Sequence, residues 1–200
     1  MQRLIYTVIF YIALPLYFLR LIFRGFQNPN YLKRWRERLG FGSNLPSEGK
    51  VVLWIHAVSV GEVNASIPLV RSFLDDYPNS EILVTTSTPT GSKILLDKMG
   101  IRVKHQYVPL DLPFCINAFL DRWNPKAFIV LETEIWPNIY HFCGIQDIPL
   151  ILASACISDN SMKKYSILFG LFKDSVSQGI VVASQSEEDA QKFISLGAKD

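Results

Sequence analysis

The chain has 200 residues and a net charge of +2, and it is 49% hydrophobic and 19% charged. This balance excludes a disordered chain, and the small net charge gives no indication of a nucleic-acid partner. Cys115, Cys143 and Cys156 are an odd number of widely spaced cysteines without a CxxC pair, which argues against a disulfide scaffold and against a zinc site.

The first pattern along the chain is an apolar segment, Leu4 to Phe23, whose one charged residue is Arg20. About 20 apolar residues are enough to cross the roughly 30 Å hydrocarbon core of a bilayer. A cleaved signal peptide is less well supported, because the segment is long and bulky and no small-residue cleavage site follows it. A buried or peripheral helix is the remaining alternative. We expect residues 1–23 to form a membrane anchor.

Basic side chains cluster at the end of this segment and beyond it. The cluster comprises Arg20, Arg24, Lys33, Arg34, Arg36 and Arg38. Because only Arg3 precedes the segment, the positive-inside rule predicts that residues 24 onward lie in the cytoplasm. The cluster either contacts anionic lipid headgroups or is a solvated region that only sets the topology. Turn residues recur up to residue 50, so we expect a basic juxtamembrane linker over residues 24–50.

From residue 51 onward, short apolar runs alternate with stretches of helical periodicity. Strands are predicted at residues 51–56, 81–85, 103–108, 127–131, 150–154 and 180–183. Helices are predicted at residues 62–77, 90–99, 114–123, 136–143, 165–177 and 187–195. This alternation predicts an α/β fold over residues 51–200, a Rossmann-like parallel sheet with helices on both faces.

The segments that leave the predicted strands are rich in polar residues. They read HAVSVGE (56–62), TTSTPTG (85–91), PLD (109–111), ETEIWPN (132–138) and SACIS (154–158). Ligands of parallel α/β sheets bind outside the carboxyl ends of the strands, which makes these segments the candidate site. Helix capping accounts for the serines and threonines, and Asp111 is predicted to be a helix N-cap. Capping does not account for the carboxylates of Glu132 and Glu134.

Glu62 follows Gly61 and falls in the first turn of a predicted helix. Two interpretations are open from the residues alone. The carboxylate can complement the helix dipole, which is worth about 0.3–1 kcal/mol, or it can act as a general base toward a sugar hydroxyl. His56 has the same ambiguity between a chemical and a structural role.

The apolar segment, the basic linker and the motifs HAVSVGE, TTSTPTG, PLD and ETEIWPN, in this order, resemble the 3-deoxy-D-manno-octulosonic acid (Kdo) transferase family. The resemblance covers essentially the whole chain. It implies a GT-B glycosyltransferase with two Rossmann-like domains and an inverting reaction that uses no metal ion and no cofactor. The implied reaction of lipopolysaccharide biosynthesis transfers Kdo from CMP-Kdo to a lipid A precursor, at the cytoplasmic face of the bacterial inner membrane.

The resemblance also assigns roles to residues. Glu62 matches the catalytic base of the family, and the N-terminal domain is the one that receives the acceptor. The implied substrate-binding residues are His56, Ser59, Gly61, Thr86, Thr88, Gly91, Glu132, Glu134, Trp136 and Asn138. Two positions depart from the family pattern: Arg36 stands where glycine is expected and Cys156 where arginine is expected. A thiol cannot hold a carboxylate or phosphate bidentately, as a guanidinium can.

The second domain that the resemblance implies, which supplies most of the nucleotide-sugar site, is not among these 200 residues. We therefore expect the isolated chain to have no transferase activity. Two alternatives remain open from the sequence. One is another membrane-associated glycosyltransferase that uses a different nucleotide sugar, and the other is a truncated, non-catalytic lipid-binding module.

Overall fold

A computed structural model describes residues 2–42, 45–158, 161–162, 169–176 and 180–198 of the chain. The strands are β1 (Val51–His56), β2 (Ser80–Thr86), β3 (Lys104–Tyr107), β4 (Ala127–Leu131), β5 (Leu150–Ala155) and β6 (Val181–Ser184). The helices are α1 (Gln2–Gln27), α2 (Trp35–Arg38), α3 (Val60–Asp76), α4 (Pro89–Met99), α5 (Pro113–Trp123), α6 (Pro137–Ile145), α7 (Phe169–Val176) and α8 (Glu187–Ser195). The part of the predicted helix at 165–177 that precedes residue 169 lies outside the described residues.

The strands form one parallel sheet in the order β3-β2-β1-β4-β5-β6. This is the strand order of the Rossmann fold, in which the winding direction reverses between β1 and β4. The fold class predicted from the sequence is therefore confirmed. The carboxyl ends of β1 and β4 are adjacent, because His56 pairs with Val130 in the register of the two strands.

The core lies on both faces of the sheet, because alternate residues of each strand point to opposite sides. Trp54 of β1 stacks on Phe128 of β4 at 3.6 Å between ring centroids and packs against the face that carries α5, α6 and α8. Its neighbour Ile55 faces the other cluster, which includes Val63 of α3 and Leu95 of α4. Both faces are therefore covered by helices.

Helix α1 lies along this domain. Phe10, Leu14, Tyr17 and Phe18, at helical spacing, pack on a small apolar cluster of Leu110, Leu112 and Cys115. Near the beginning of the helix, Arg3 donates to Oδ1 of Asn138 at 3.0 Å. The opposite face of α1 is apolar and exposed, with Leu4, Ile5, Ile9, Ile12, Leu16, Leu19, Phe23 and Phe26. By length and composition, α1 is able to cross a membrane.

The segment after α1 packs on the edge of the sheet rather than extending away from it. Glu37 is buried, and its Oε2 accepts the backbone N–H of Tyr107 at 2.9 Å. Gly40 has a φ of +90°, and a Cβ at this position would lie 2.3 Å from the carbonyl oxygen of Cys115. Glycine is therefore required where the chain passes over α5.

Candidate functional site

The carboxylate of Glu62 is held by the loop between β1 and α3. Ser59 is the N-cap of α3, and its Oγ accepts the backbone N–H of Glu62 at 3.2 Å. In return, Glu62 Oε1 accepts the N–H of Ser59 at 3.2 Å and Oε2 accepts the N–H of Val58 at 2.7 Å. This is a capping box, and it orients a carboxylate that is only 4% exposed. The structure therefore confirms the interpretation that the Glu62 carboxylate interacts with the N-terminus of its helix.

Two further carboxylates follow β4, the neighbour of β1. Glu132 has a φ of +60°, in the left-handed region, and is exposed to solvent. Glu134 is partly buried, and burial, followed by the negative charges of Glu62 and Glu132, raises its pKa to about 7. Burial and the charge of Glu62 also raise the pKa of Glu132. Three interacting carboxylates therefore meet at the point where the strand order reverses.

The raised pKa of Glu134 gives a testable dependence of stability on pH. A carboxyl whose pKa is higher in the folded than in the unfolded protein binds more protons when folded, so stability decreases as pH rises from about 4.5 to about 7. We predict that Glu134→Gln gains about 1–2 kcal/mol relative to the unmodified protein between pH 5 and pH 8, after allowance for solvent screening of this partly exposed group. Chemical denaturation at both pH values measures the difference. Glu48→Gln, at an exposed position, is the control, and an equal gain there would contradict the prediction.

Three of the expected substrate contacts form hydrogen bonds inside the protein, and their role toward a substrate stays a prediction from the sequence. His56, Thr86 and Asn138 have no solvent exposure. His56 Nδ1 lies 2.9 Å from Thr85 Oγ1, and burial lowers the pKa of the imidazole to about 4. Thr86 Oγ1 lies 3.0 Å from His105 Nε2, and Asn138 donates to the carbonyl of Asp111 at 2.8 Å. These bonds hold the ends of β1 and β2 and the beginning of α6, but the Nε2 of His56 is buried without a hydrogen-bond partner among the described residues.

Of the other expected contacts, Gly91 is buried and the rest are at least partly exposed. Thr88 is the N-cap of α4 and accepts the N–H of Gly91 at 3.1 Å. A Cβ at Gly91 would lie 3.3 Å from Thr88 Oγ1, so the capping side chain would have to shift by a few tenths of an ångström. At Gly61, by contrast, a Cβ would meet Ser59 Oγ at 3.6 Å and nothing nearer among the described residues. Packing therefore does not explain Gly61, which is exposed beside Glu62.

The basic cluster divides into two sets. Arg20, Arg24, Lys33, Arg34 and Arg36 are exposed, and Arg38 is buried. Arg34 Nε is 2.6 Å from Glu37 Oε1, and Arg38 is only 2% exposed. The solvated region that the sequence left open as one alternative therefore does not include Arg38. Arg38 instead donates to the hydroxyl of Tyr17 on α1 at 3.2 Å and to the carbonyl of Ser87 at 3.0 Å. It therefore connects α1 to the loop that precedes α4.

Asp111 was predicted to be an N-cap, but the helix it caps is not the one that follows it. Its carboxylate accepts the backbone N–H groups of Asn138 at 3.1 Å and Ile139 at 2.8 Å, at the beginning of α6. The side chain is completely buried, which raises its pKa to about 6. Thr7 of α1 also bonds to Asn138, at 3.0 Å from its amide nitrogen. Asp111 and Asn138 thus join α1, α6 and the loop after β3.

The site contains carboxylates, hydroxyls and backbone amides, and the described residues include no group of three or more His, Cys, Asp or Glu placed to hold a metal ion. Cys156 lies beside Glu132 and Asp189, and burial together with these two negative charges raises the pKa of its thiol. Carboxylates at the switch point of a parallel sheet are suited to binding and deprotonating hydroxyl groups. The fold and the site define a Rossmann-like α/β domain with three interacting carboxylates at its carboxyl edge.

Comparison with known proteins identifies the family. Residues 33–200 match the family model described as 3-deoxy-D-manno-octulosonic-acid transferase (kdotransferase), and the chain belongs to this family. The resemblance seen in the motifs is thereby confirmed.

Individual relatives agree with this assignment. The chain is 38% identical over 197 residues to the 3-deoxy-D-manno-octulosonic acid transferase of Haemophilus influenzae, covering 98% of this chain and 46% of the relative. It is 35% identical over 162 residues to the probable 3-deoxy-D-manno-octulosonic acid transferase, mitochondrial, of Arabidopsis thaliana, covering 81% and 36%. A bifunctional glycosyltransferase/methyltransferase of Fusobacterium nucleatum is 34% identical over 148 residues, covering 73% and 23%. The chain spans about half the length of the Haemophilus relative and less of the other two.

Proposed function

We propose that this chain is the N-terminal, acceptor-binding part of an inverting GT-B glycosyltransferase that transfers Kdo from CMP-Kdo to a lipid A precursor. The observation that carries the proposal is the buried, oriented carboxylate of Glu62 beside Glu132 and Glu134 at the switch point of the sheet. The names of the relatives support the transferred sugar. The nucleotide-sugar site is proposed to be completed by the part of the protein that lies outside this chain.

In the proposed reaction, Glu62 takes the proton of the attacking acceptor hydroxyl. The hydroxyl oxygen forms a bond to the anomeric carbon of Kdo while the bond from that carbon to the phosphate oxygen of CMP breaks. CMP leaves with the electron pair, and attack from the opposite face inverts the configuration. The two N–H groups that hold the carboxylate fix its direction before the substrate arrives, which supports its use as a base. Following the family resemblance, the scheme uses no metal ion and no cofactor.

The remaining groups at this edge are proposed to position the acceptor. With a pKa of about 7, Glu134 is partly protonated at neutral pH. Its carboxyl group is therefore able to donate a hydrogen bond to one sugar hydroxyl and to accept one from another. Ser59, Gly61, Thr88 and Trp136 are the other proposed contacts. Cys156 offers no fixed positive charge, so anionic groups of the substrates must be bound by other residues.

The protein is further proposed to act at the cytoplasmic face of the bacterial inner membrane. The exposed apolar face of α1 and the exposed basic side chains of Arg20, Arg24, Lys33 and Arg36 support this location. A single crossing of the bilayer, with residues 24 onward in the cytoplasm, stays a prediction from the sequence. In the structure α1 lies along the domain and keeps its apolar face available for lipid.

A transfer assay tests the proposed function. The full-length protein in non-ionic detergent is incubated with CMP-Kdo and a lipid A precursor, and mass spectrometry follows the lipid. We expect the mass of the acceptor to increase by whole Kdo residues, and the isolated 200-residue chain to give no product. Turnover only with another nucleotide sugar would support the alternative glycosyltransferase. Binding of the lipid without turnover by the full-length protein would support the non-catalytic module.

A further inference from the structure

A cavity of about 290 Å³ lies between α1 and the loops at the carboxyl edge of the sheet. Its lining is largely apolar and includes Phe10, Tyr17, Leu21, Val108, Leu110 and Trp136. One side of the cavity therefore belongs to the apolar N-terminal helix and the other to the domain. A cavity of this size accommodates part of a lipid, such as a sugar headgroup and the beginning of an acyl chain.

Three guanidinium groups border this apolar space: those of Arg20, Arg24 and Arg38. Within the described part of the chain, none of the three forms an ion pair with a carboxylate. Arg38 is the most informative, because it is 2% exposed and its two bonds go to neutral oxygens, those of Tyr17 and Ser87. The guanidinium also lies over the ring of Tyr107, at 4.2 Å from its centroid, but no carboxylate among the described residues neutralises it. The cavity is therefore complementary to an anionic group.

Two buried N–H donors at the cavity point to the same conclusion. The Nε of Arg38 and the Nε1 of Trp136 are buried and have no hydrogen-bond acceptor among the residues that the structure describes. Both side chains line the cavity. Since buried donors in native proteins are nearly always paired, an acceptor-rich ligand is the natural partner for them.

We propose that this cavity binds the phosphorylated sugar headgroup of a lipid, with the phosphate at Arg20, Arg24 and Arg38 and an acyl chain along the apolar side of α1. This proposal rests on the proposed function and specifies how the acceptor is held. Val58 lines the cavity, and its N–H donates to Glu62 Oε2 at 2.7 Å, so the bound headgroup lies next to the loop that holds the proposed base. Helix α1 is thus a wall of the acceptor site in addition to being the membrane segment.

The test measures lipid binding without donor, so that it does not depend on turnover. The full-length protein in non-ionic detergent is titrated with a tetra-acylated glucosamine disaccharide bisphosphate and with the same lipid lacking its phosphates. The variant R20Q/R24Q removes two exposed guanidiniums of the cavity and leaves the buried Arg38 in place. The control K50Q/R71Q removes two exposed charges away from the cavity.

We expect the unmodified protein and the control to prefer the phosphorylated lipid by about 10-fold or more, and R20Q/R24Q to retain about 3-fold preference or less. Inorganic phosphate and phosphatidylglycerol are expected to compete only weakly. Equal preference in R20Q/R24Q and the control would overturn the proposal, as would full competition by phosphatidylglycerol, which would indicate general binding of anionic lipid.

The same experiment separates this proposal from the proposed function. If the unmodified protein binds the phosphorylated lipid with the expected preference but transfers no Kdo, the proposed activity is overturned and the lipid site is supported. If it transfers Kdo while R20Q/R24Q keeps the full preference for phosphate, the lipid site is overturned and the activity is supported.

Discussion

Replacing Glu62 with glutamine in the full-length protein is expected to lower the rate of Kdo transfer by about 10²–10⁴-fold, the usual contribution of a general base. Glutamine has nearly the same shape and keeps one oxygen that accepts a backbone N–H of the β1–α3 loop, but it cannot take a proton from the acceptor hydroxyl. The loss should appear in kcat, because the proton is transferred in the chemical step. Initial rates at saturating CMP-Kdo and lipid measure it.

The structural role of Glu62 has to be separated from its chemical role, because the same carboxylate completes the capping box of α3. Loss of a cap costs typically about 1 kcal/mol. Ser186→Ala is a matched control, since Ser186 Oγ caps α8 by accepting the N–H of Asp189 at 3.1 Å, far along the chain from the proposed base. We expect a similar decrease in stability for Ser186→Ala and Glu62→Gln, with transfer retained in the first. Near-normal transfer by Glu62→Gln would remove Glu62 from the mechanism.

The fold was predictable from residue 51 onward because its signals are local. The run VVLWIH is apolar up to its last residue, as expected for a central strand covered on both faces, and the structure places it as β1 with residues 52–56 buried. The helix predicted at residues 62–77 is also present, but it begins at Val60, since Ser59 and Glu62 form a capping box at its N-terminus. The predicted strand at 103–108 is shorter in the structure, at Lys104–Tyr107, since ends of elements depend on their neighbours.

The candidate site was only partly predictable, because burial depends on contacts between distant segments. His56 and Thr86 end their strands and Glu132 directly follows one, and nothing in the local sequence distinguishes the buried pair from the exposed Glu132. The burial of Arg38 follows from the docking of α1, whose Tyr17 covers it. A basic cluster counted along the sequence therefore contains side chains of two kinds, and only the packing of α1 separates them.

The hydrogen-bond partners of Asp111 were likewise not predictable from the local sequence. The sequence predicted a cap at Asp111, but Leu112 is the N-cap of α5, and the carboxylate reaches across to α6. Trp136, the N-cap of α6, provides no capping side chain of its own, so Asp111 serves in its place. Tertiary structure determines which helix such a residue caps, because Asn138 lies 27 residues after Asp111 in the chain.

Asp111→Ala is expected to destabilise the protein by about 2–4 kcal/mol at pH 4.5, because it leaves the buried N–H groups of Asn138 and Ile139 without their acceptor. The deficit should shrink toward pH 7.5. Burial raises the pKa of Asp111 to about 6, above its ordinary value of 3.8, so the unmodified protein loses part of this contribution to stability as pH rises through that interval, and alanine does not titrate. Denaturant unfolding at the two pH values measures both effects.

The control for Asp111→Ala is Asp121→Ala, which removes an exposed carboxylate from α5 and should change the free energy of unfolding by less than about 0.5 kcal/mol. Hydrogen exchange adds a local readout: the amides of Asn138 and Ile139 should lose protection in Asp111→Ala before those of β1 and β4 do. A deficit that grows with pH would show that the ionised carboxylate is the favoured partner of α6. Because Asn138 also contacts Thr7 and Arg3, loosening of α6 is expected to release the beginning of α1 as well.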